Sequence, residues 1–416
     1  MMTVILTPCK ARIYLDITSP TLQKIPFAVP YFINMSKQGP PVEEGGKEMA
    51  DILSRALEFH GFVTVIDPLL YKGNQSNEWE SHGADFAIFG QYLHTDADEV
   101  TMELRLIEAG TGRMLMGRRY RGEWDKRKYM ALRYCDEIIR ELTGERGVSL
   151  TKIAYISDKS GHDEVYISDI LGDEIRQVTM HRSITVSPRY SPDGLKLAYT
   201  SYHKSNPNLY ITDLRQSKYT VPISRRKGLN IAAAWAPDGE KLAITLSEDG
   251  NPDLYVIDTE GVILNKLTDH EGINVSPSWS PDGKKIAFVS DRSGSPQIYV
   301  MDLETEKVQR ITYVGSYNTT PAWSPKGDLI AYSGFFESMY HIYTISPEGG
   351  RPTRVTHYWG DHESPSWSPD GRQIVFSRKR NNKQKLYAIL KNGSALREII
   401  SDEGELAYPR WSPRSK

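Results

Sequence analysis

In the last two thirds of the chain, apolar residues alternate with polar ones or form short runs, and these runs recur with a fixed period. Each period carries a phrase of the form aromatic–Ser/Ala–Pro–Asp/Lys–Gly, and the copies begin at Tyr190, Trp235, Trp279, Trp323 and Trp367, with a truncated copy at Trp411. Successive copies are 45, 44, 44, 44 and 44 residues apart. A helical repeat would instead show an apolar stripe with a period of about 3.6 residues. A period of about 40–45 residues built from short apolar runs is typical of β-propeller blades.

A single repeat divides into four strands and the turns between them. In the copy around Trp279, strands are predicted at 277–280, 285–289, 297–301 and 308–311. The phrase itself predicts a turn, because Pro presets φ, Asp bonds to its own backbone and Gly accepts a positive φ. The Asp-Gly pair also suggests a metal or sugar site, but Lys326 replaces Asp in one copy. We therefore interpret the phrase as a strand-joining turn that does no chemistry.

One further unit is split between two distant parts of the chain. Residues 151–179 carry the second, third and fourth strands of a blade, and 407–411 carries the missing first strand. Pairing these segments closes a ring and removes an exposed sheet edge, which would otherwise favour aggregation. The sequence therefore predicts a six-bladed β-propeller over residues 148–416.

The repeat is missing before residue 148, and residues 12–147 predict a small α/β domain with a mixed sheet and two helices. Helices are predicted from Pro40 to a stop at Gly61 and from about 124 to 142, each with one apolar face. Strands are predicted at 13–17, 29–33, 62–66, 86–93, 100–107 and 114–120. The strand at 29–33 is placed at a sheet edge because of Pro30. The fold class is therefore α+β multidomain.

Composition and hydropathy argue against general nucleic-acid binding and against a membrane-spanning helix. The net charge is −2 with 25% charged residues, so no strong, sequence-independent attraction to nucleic acid is expected. The locally basic stretch 118–133 is interpreted as a solvated strand end and helix face in preference to a phosphate-binding patch. No apolar run approaches the roughly 18–20 residues that a membrane-spanning helix needs.

The first eleven residues resemble the end of a secretion signal. Val4–Leu6 would be the remains of its apolar region, and Cys9-Lys10-Ala11 offers small residues at the −3 and −1 positions of a cleavage site. Because the basic start and a full apolar region are missing, we expect the sequence to begin inside the signal. Composition alone leaves export undecided. The second cysteine, Cys135, lies on the apolar face of a predicted helix and is interpreted as a core residue.

A small α/β domain followed by six of these repeats resembles the TolB family, from Arg12–Ile17 to Trp411-Ser-Pro413. The repeat alone is less specific, since it also occurs in propellers of prolyl-oligopeptidase-type and tricorn-type peptidases. The resemblance implies a periplasmic, non-catalytic protein without a cofactor that supports outer-membrane integrity and constriction during cell division. It also implies two partners. A Pal-type peptidoglycan-associated lipoprotein is expected to bind at the mouth of the channel, on a propeller face that group A colicins can also exploit. A TolA-type inner-membrane protein is expected to contact the N-terminal segment near Arg12.

The alternative is a propeller that assists a peptidase or that binds or hydrolyses carbohydrate. A peptidase of the prolyl-oligopeptidase type needs a G-x-S-x-G elbow, and the sequence contains none. A sialidase-like site needs a tyrosine nucleophile, but the tyrosines fall on the third strand at blade period, which indicates packing between blades. Zinc needs clustered His, Cys or carboxylates. His357, Asp361 and His362 are a weak match, for which a surface or partner-contact role is preferred.

We expect partner binding where each fourth strand crosses to the first strand of the next blade, because these loops surround one mouth of the channel. The predicted contact residues are Ile184, Thr185, Leu229, Asn230, Ala232, Asn274, Val275, Asn318, Thr319, His362, Glu363 and Ala407. Among them, the family resemblance places Pal contact at Leu229, Ala232 and Val275. The three asparagines recur at or next to the same blade position, and each could instead cap its own loop backbone.

Overall fold

The computed structural model describes residues 23–36, 44–71, 79–95, 97–216, 220–269 and 272–414. The chain divides into two units between Ser149 and Leu150. The predicted strand 13–17, the predicted signal remnant 1–11 and the predicted helix start at Pro40 lie outside the described residues. None of the helices in these ranges is long and apolar enough to cross a bilayer.

The first unit is built on a mixed sheet with two helices. Its elements are β1 (Ile25–Ala28), β2 (Ile33–Asn34), α1 (Glu44–Phe59), β3 (Val63–Val65), β4 (Phe86–His94), β5 (Glu99–Glu108), β6 (Met114–Glu123) and α2 (Arg127–Thr143). The strand order is β3-β1-β4-β5-β6, with β2 also paired to β4. The pairs β1–β3, β1–β4 and β2–β4 are parallel, and β4–β5–β6 is an antiparallel meander.

Both helices end where the sequence predicts. Each buries one apolar face, and the two helices pack against each other. Gly61 follows α1 with a φ of 82°. Gly144 caps α2 in the left-handed region, and its N–H donates to the carbonyl of Arg140. A residue with a Cβ would be strained at either position, so glycine fixes both helix ends.

The predicted edge strand at 29–33 is wrong. The strand lies earlier, at Ile25–Ala28, and it sits between β3 and β4 in the sheet. Val29 and Phe32 are fully buried although they are outside any strand. Phe32 covers Gly90 of β4, where a Cβ would come within 2.2 Å of the phenyl ring. The apolar run therefore reflects core packing, and only its last residue, Ile33, pairs in the sheet, with Gln91 of β4.

The second unit is a propeller of six four-stranded sheets, as predicted. Blade 1 contains β7 (Lys152–Ser157), β8 (Glu164–Asp169) and β9 (Ile175–Gln177). Blade 2 contains β10 (Thr185–Tyr190), β11 (Lys196–Lys204), β12 (Asn206–Asp213) and β13 (Thr220–Ser224). Blade 3 contains β14 (Asn230–Trp235), β15 (Lys241–Leu246), β16 (Asp253–Asp258) and β17 (Ile263–Lys266).

The remaining strands complete the ring. Blade 4 contains β18 (Asn274–Trp279), β19 (Lys285–Ser290), β20 (Gln297–Asp302) and β21 (Val308–Arg310). Blade 5 contains β22 (Tyr317–Trp323), β23 (Ile330–Phe336), β24 (Met339–Ile345) and β25 (Thr353–Arg354). Blade 6 contains β26 (Asp361–Trp367), β27 (Gln373–Arg380), β28 (Lys383–Leu390) and β29 (Arg397–Glu398). The last strand, β30 (Leu406–Trp411), pairs with β7 and is the inner strand of blade 1, which confirms the predicted closure.

The repeated phrase forms the turn between the first two strands of each blade. In blade 4, the hydroxyl of Ser280 donates to Asp282 at 2.6 Å, and Asp282 accepts the backbone N–H of Lys284. Gly283 has a φ of 72°. In blade 5, where Lys326 replaces the aspartate, the serine hydroxyl donates to Asp328 instead, at 2.8 Å. A nearby carboxylate thus supplies the same bond, which explains why the turn tolerates lysine.

The repeated aromatic residues tie neighbouring blades together. The indole N–H of Trp235, Trp279 and Trp367 donates to a backbone carbonyl in the inner strand of the preceding blade, at 3.2, 3.1 and 3.0 Å. Third-strand tyrosines such as Tyr343 stack on an aromatic ring of the second strand in their own blade. Tyr343 also belongs to an apolar cluster that contains residues of blades 4 and 5. The blade-period tyrosines therefore serve packing, as predicted.

Candidate partner-binding site

The propeller has two faces that differ in the loops they carry. We call the face that holds the loops between successive blades the crossing face. The hairpins between second and third strands lie on it as well, because the strands of a blade run alternately up and down. We call the opposite face, which holds the repeated turns, the turn face. All the predicted contact residues lie on inner strands or crossing loops, at the crossing face.

Every inner strand is interrupted near the crossing face by a β-bulge. In β18, Val275 pairs with Val289 and Ser278 with Ala287, so two residues oppose one. One non-glycine residue in each bulge has a positive φ between 50° and 58°: Ser187, Ala232, Ser276, Thr320, Ser364 and Tyr408. This conformation costs roughly 1–2 kcal/mol per residue. A bulge bends its strand and leaves one residue outside the ladder. The mouth of the channel is therefore surrounded by six similar kinks.

The predicted contact residues fall into two groups by exposure. One group has fully buried side chains: Thr185, Asn230, Asn274, Asn318 and His362. The other group retains accessible surface: Ile184, Leu229, Ala232, Val275, Thr319, Glu363 and Ala407. The side chains of the first group are therefore unavailable to a partner, and their contribution is confined to shaping the loops.

The buried asparagines join the crossing loops to the preceding blade. The side-chain N–H groups of Asn274 donate to Asp253 at 3.0 Å and to the carbonyl of Gly272 at 2.9 Å. Those of Asn318 donate to Gln297 at 2.8 Å and to the carbonyl of Val314 at 2.9 Å. The asparagines thus cap their own loops, as the alternative interpretation proposed, and they also bond across the blade junction.

Asn230 uses the same arrangement with different partners. Its carboxamide oxygen accepts the hydroxyl of Ser224 and the backbone N–H of Arg226. Its N–H groups donate to the carbonyls of Pro207 and Arg226. Buried polar groups that are fully hydrogen-bonded hold a unique local structure. The mouth is therefore preformed on this side of the ring.

His362 is also part of the framework. Its Nδ1 lies 3.3 Å from the carbonyl of Tyr340, and its ring stacks on His341 and meets Phe376 edge-on. Burial, together with the nearby Arg378, lowers the pKa of His362 to about 3, so the ring is neutral at physiological pH. Within the ranges that the structure describes, no three His, Cys, Asp or Glu side chains are close enough to hold a metal ion.

Glu363 is the one carboxylate among the predicted contact residues. It is half-buried at the bulge of blade 6. Burial is the main cause that raises its pKa, and the neighbouring Asp361 raises it further. It therefore gives the mouth a proton-binding group at a position where the other blades carry apolar or hydroxyl side chains.

The structure reveals a sector of exposed apolar side chains that the sequence analysis did not identify. It surrounds blade 5 on the crossing face and consists of Tyr313, Val314, Tyr317, Phe336, Tyr358 and Trp359. Tyr313 is 69% exposed and Trp359 is 66% exposed. We call these six residues the aromatic sector. The sequence prediction did not include them. Four of them lie in crossing loops, further from the repeated aromatic than the predicted contact residues, while Phe336 ends β23 at a hairpin and Tyr317 begins β22.

Contacts around the aromatic sector hold its loops in place. The guanidinium of Arg310 lies over the ring of Tyr313 at 4.7 Å, and Tyr317 meets Tyr340 edge-on at 6.4 Å. Arg378 donates two hydrogen bonds to the backbone carbonyl of Trp359. The loop at Trp359 is thus anchored through its backbone, and the exposed indole takes no part in these hydrogen bonds.

Comparison with known proteins gives matches over both units. The profile of the TolB β-propeller domain matches residues 139–415, and that of the TolB amino-terminal domain matches residues 13–115. The Tol-Pal system protein TolB of Desulfotalea psychrophila is 44% identical over 219 residues, which cover 53% of this chain and 50% of that protein. The corresponding protein of Desulfosudis oleivorans is 37% identical over 228 residues, which cover 52% and 51%. The chain spans about half the length of the curated relatives it matches.

The structural comparison extends over almost the whole chain. TolB from Acinetobacter baumannii superposes with a TM-score of 0.82 and 27% sequence identity, covering 94% of this chain and 97% of that one. TolB from Agrobacterium tumefaciens, described as putative, has a TM-score of 0.50 at 21% identity and covers 61% of this chain and 90% of that one. The latter likeness concerns the fold alone.

Proposed function

The chain belongs to the TolB family, and from this we propose that it is a non-catalytic, periplasmic protein-binding scaffold of the Tol–Pal system. Relatives that bear the name Tol-Pal system protein TolB support the assignment to this system. In this role the protein supports outer-membrane integrity and envelope constriction during cell division.

The crossing face is the proposed site for a Pal-type peptidoglycan-associated lipoprotein. The observation that carries this proposal is the combination of a preformed mouth and an exposed aromatic sector. Aromatic side chains supply a large contact area and are enriched among the residues that dominate binding energy. Loops that are already ordered lose little conformational entropy on association. A broad, rigid surface of this kind suits a folded protein better than a small substrate.

A second partner, a TolA-type inner-membrane protein, is proposed to bind the N-terminal segment that begins near Arg12. This segment lies outside the described residues, so the proposal stands on the family alone. Deleting residues 12–22 tests it. Affinity for the TolA-type protein encoded in the same genome should fall, while binding of the Pal-type domain should be retained. Equal affinity for the TolA-type protein before and after deletion would contradict it.

The experiment for the crossing face uses two substitutions that act by different means. Val275→Arg places a charge beside a bulge of the mouth, and Trp359→Ala removes the exposed indole of the aromatic sector. Both should weaken binding of the Pal-type domain, measured by calorimetry, by at least roughly thirtyfold, because central interface residues often contribute about 2 kcal/mol or more. Loss of Trp359 should leave the melting temperature unchanged, since the carbonyl of residue 359 still anchors the loop.

Matched controls lie at the outer edge of blade 3. Val262 and Leu264 are 55% and 50% exposed there, away from the crossing loops. Val262→Arg repeats the gain of charge, and Leu264→Ala repeats the loss of an exposed apolar side chain. Neither control should change the affinity. If the controls weaken binding as much as Val275→Arg and Trp359→Ala do, the crossing face is not the site.

A further inference from the structure

Two blades carry an arginine at a position where the other four blades carry a small side chain. The residue before the repeated aromatic is Arg189 in blade 2 and Arg410 in blade 1. At the equivalent position the other blades carry Ala234, Ser278, Ala322 and Ser366. Since β30 and β10 are neighbouring inner strands, the two arginines lie on adjacent blades. The repeat itself does not require arginine here, so these side chains need another explanation.

Both arginines line a cavity at the end of the channel nearest the turn face. Its volume is about 360 Å³, which is at the lower end of the range for small-molecule sites. The prolines and aromatic residues of the repeated turns form most of its wall. Ser278 and Ser366 also line it, and each accepts a backbone N–H of the next blade, so that each hydroxyl proton can still be donated. The wall is thus largely apolar, with a few hydrogen-bond donors.

The positive charge in this cavity is not neutralised by the protein. One terminal nitrogen of Arg410 donates to the carbonyls of Ser364, Pro365 and Pro409, at 3.1, 3.3 and 2.7 Å. Arg189 donates to the carbonyl of Pro188 at 3.1 Å. These acceptors carry no net charge. Among the residues that the structure describes, no carboxylate forms an ion pair with either guanidinium.

The charge nevertheless persists at neutral pH. Burial lowers the pKa of Arg189 to about 10, which still leaves the guanidinium protonated at pH 7. A charge in a low-dielectric site is costly unless it is paired. Other arginines of the chain do have a carboxylate partner: Arg119 and Arg121, in the first unit, are each paired with a glutamate. An anion from solution would supply the missing partner in the cavity.

We propose that this cavity binds a small oxyanion of the phosphate or carboxylate type, held by the guanidinium groups of Arg189 and Arg410. The planar guanidinium matches such anions because it presents paired N–H donors. The site lies at the opposite end of the channel from the crossing face, and it does not depend on the function proposed above. Binding of such an anion is expected to stabilise the propeller.

The test compares anions on the full chain at pH 7 and equal ionic strength. Sodium phosphate should raise the melting temperature in a saturable way, whereas sodium chloride should not, because a ligand that binds only the native state stabilises it. Arg189→Ala should weaken the apparent phosphate affinity at least tenfold, as expected when a hydrogen bond to a charged group is lost. Alanine occupies this position in blades 3 and 5, so the fold accepts it. Arg225→Ala, at an exposed arginine, is the matched control and should keep the wild-type response.

Two further measurements separate the outcomes. Sodium acetate in place of phosphate shows which type of oxyanion the site prefers, and a response to either one that depends on Arg189 supports the site. Arg410→Lys keeps a charge while it removes the planar donor group, and it should also weaken binding. The proposal is overturned if neither anion stabilises the protein more than chloride. It is equally overturned if Arg189→Ala responds as the wild type does.

Discussion

Closure of the propeller ring depends on Trp411, and replacing this residue tests how much the closure contributes to stability. Trp411 is 6% exposed, and it belongs to the inner strand that blade 1 takes from the end of the chain. Its indole N–H donates to the hydroxyl of Thr151 at 2.7 Å, and its backbone N–H donates to the hydroxyl of Ser366 at 3.0 Å. The side chain therefore links β30 to the start of blade 1, and the backbone links it to blade 6.

The expected loss follows from this burial. Truncating a buried tryptophan to alanine costs about 3–5 kcal/mol. In a domain of this size each kcal/mol changes the melting temperature by roughly 2–4 °C. Trp411→Ala should therefore lower the melting temperature by roughly 6–20 °C. Deleting residues 405–416 also removes Leu406, which is fully buried, and the combined loss of roughly 5–10 kcal/mol approaches the whole stability of a typical domain.

Thermal unfolding followed by circular dichroism, together with size-exclusion chromatography, provides the measurement. The deletion variant should also aggregate, because the edge of β7 loses its partner strand. Trp359→Ala is the control, since it removes an indole that is 66% exposed and should change stability by less than about 0.5 kcal/mol. A deletion variant that stays monodisperse with an unchanged melting temperature would refute the closure argument.

Three further predictions concern the mouth and the blade junctions. Asn274→Ala should lower the free energy of unfolding by about 2–3 kcal/mol in a denaturant titration, because it removes two hydrogen bonds, one of them to the buried side chain of Asp253. Gly261→Ala should cost roughly 1–3 kcal/mol more than Gly250→Ala, because both glycines have a φ near 90° but only at Gly261 would a Cβ meet a backbone atom, the carbonyl of Ile223 at 1.9 Å. Equal costs at the two glycines would show that the close approach is unimportant. The third concerns His362, whose pKa is about 3 in the folded protein and about 6.5 when unfolded, so the unfolded state binds more protons between these values. Stability should therefore be complete above about pH 6.5 and be lost as the pH falls towards 3, and His362→Gln should flatten this loss in melting curves recorded from pH 7 to 4.

The contact residues illustrate where sequence reasoning about the site stops. Counting back from each repeat places Asn274 and Val275 side by side on the crossing face. The structure buries the first completely, because Asn274 meets Asp253 of the preceding blade, and leaves the second only partly buried. That neighbour comes from a different repeat, so the period alone does not show it. The aromatic sector was missed because most of its residues lie in crossing loops and at a hairpin, which the repeated phrase does not mark.

The sequence by itself determined the number of blades, the closing strand and the turns. These depend on local chemistry, namely alternating apolar residues in strands and Pro, Asp and Gly in turns, and on a period that repeats it. Only the tertiary structure decided that Phe32 is buried without belonging to a strand, and that Arg189 and Arg410, at distant points of the chain, share one cavity. Burial and pairing of charge depend on groups brought together by ring closure, and a linear pattern does not specify which groups those are.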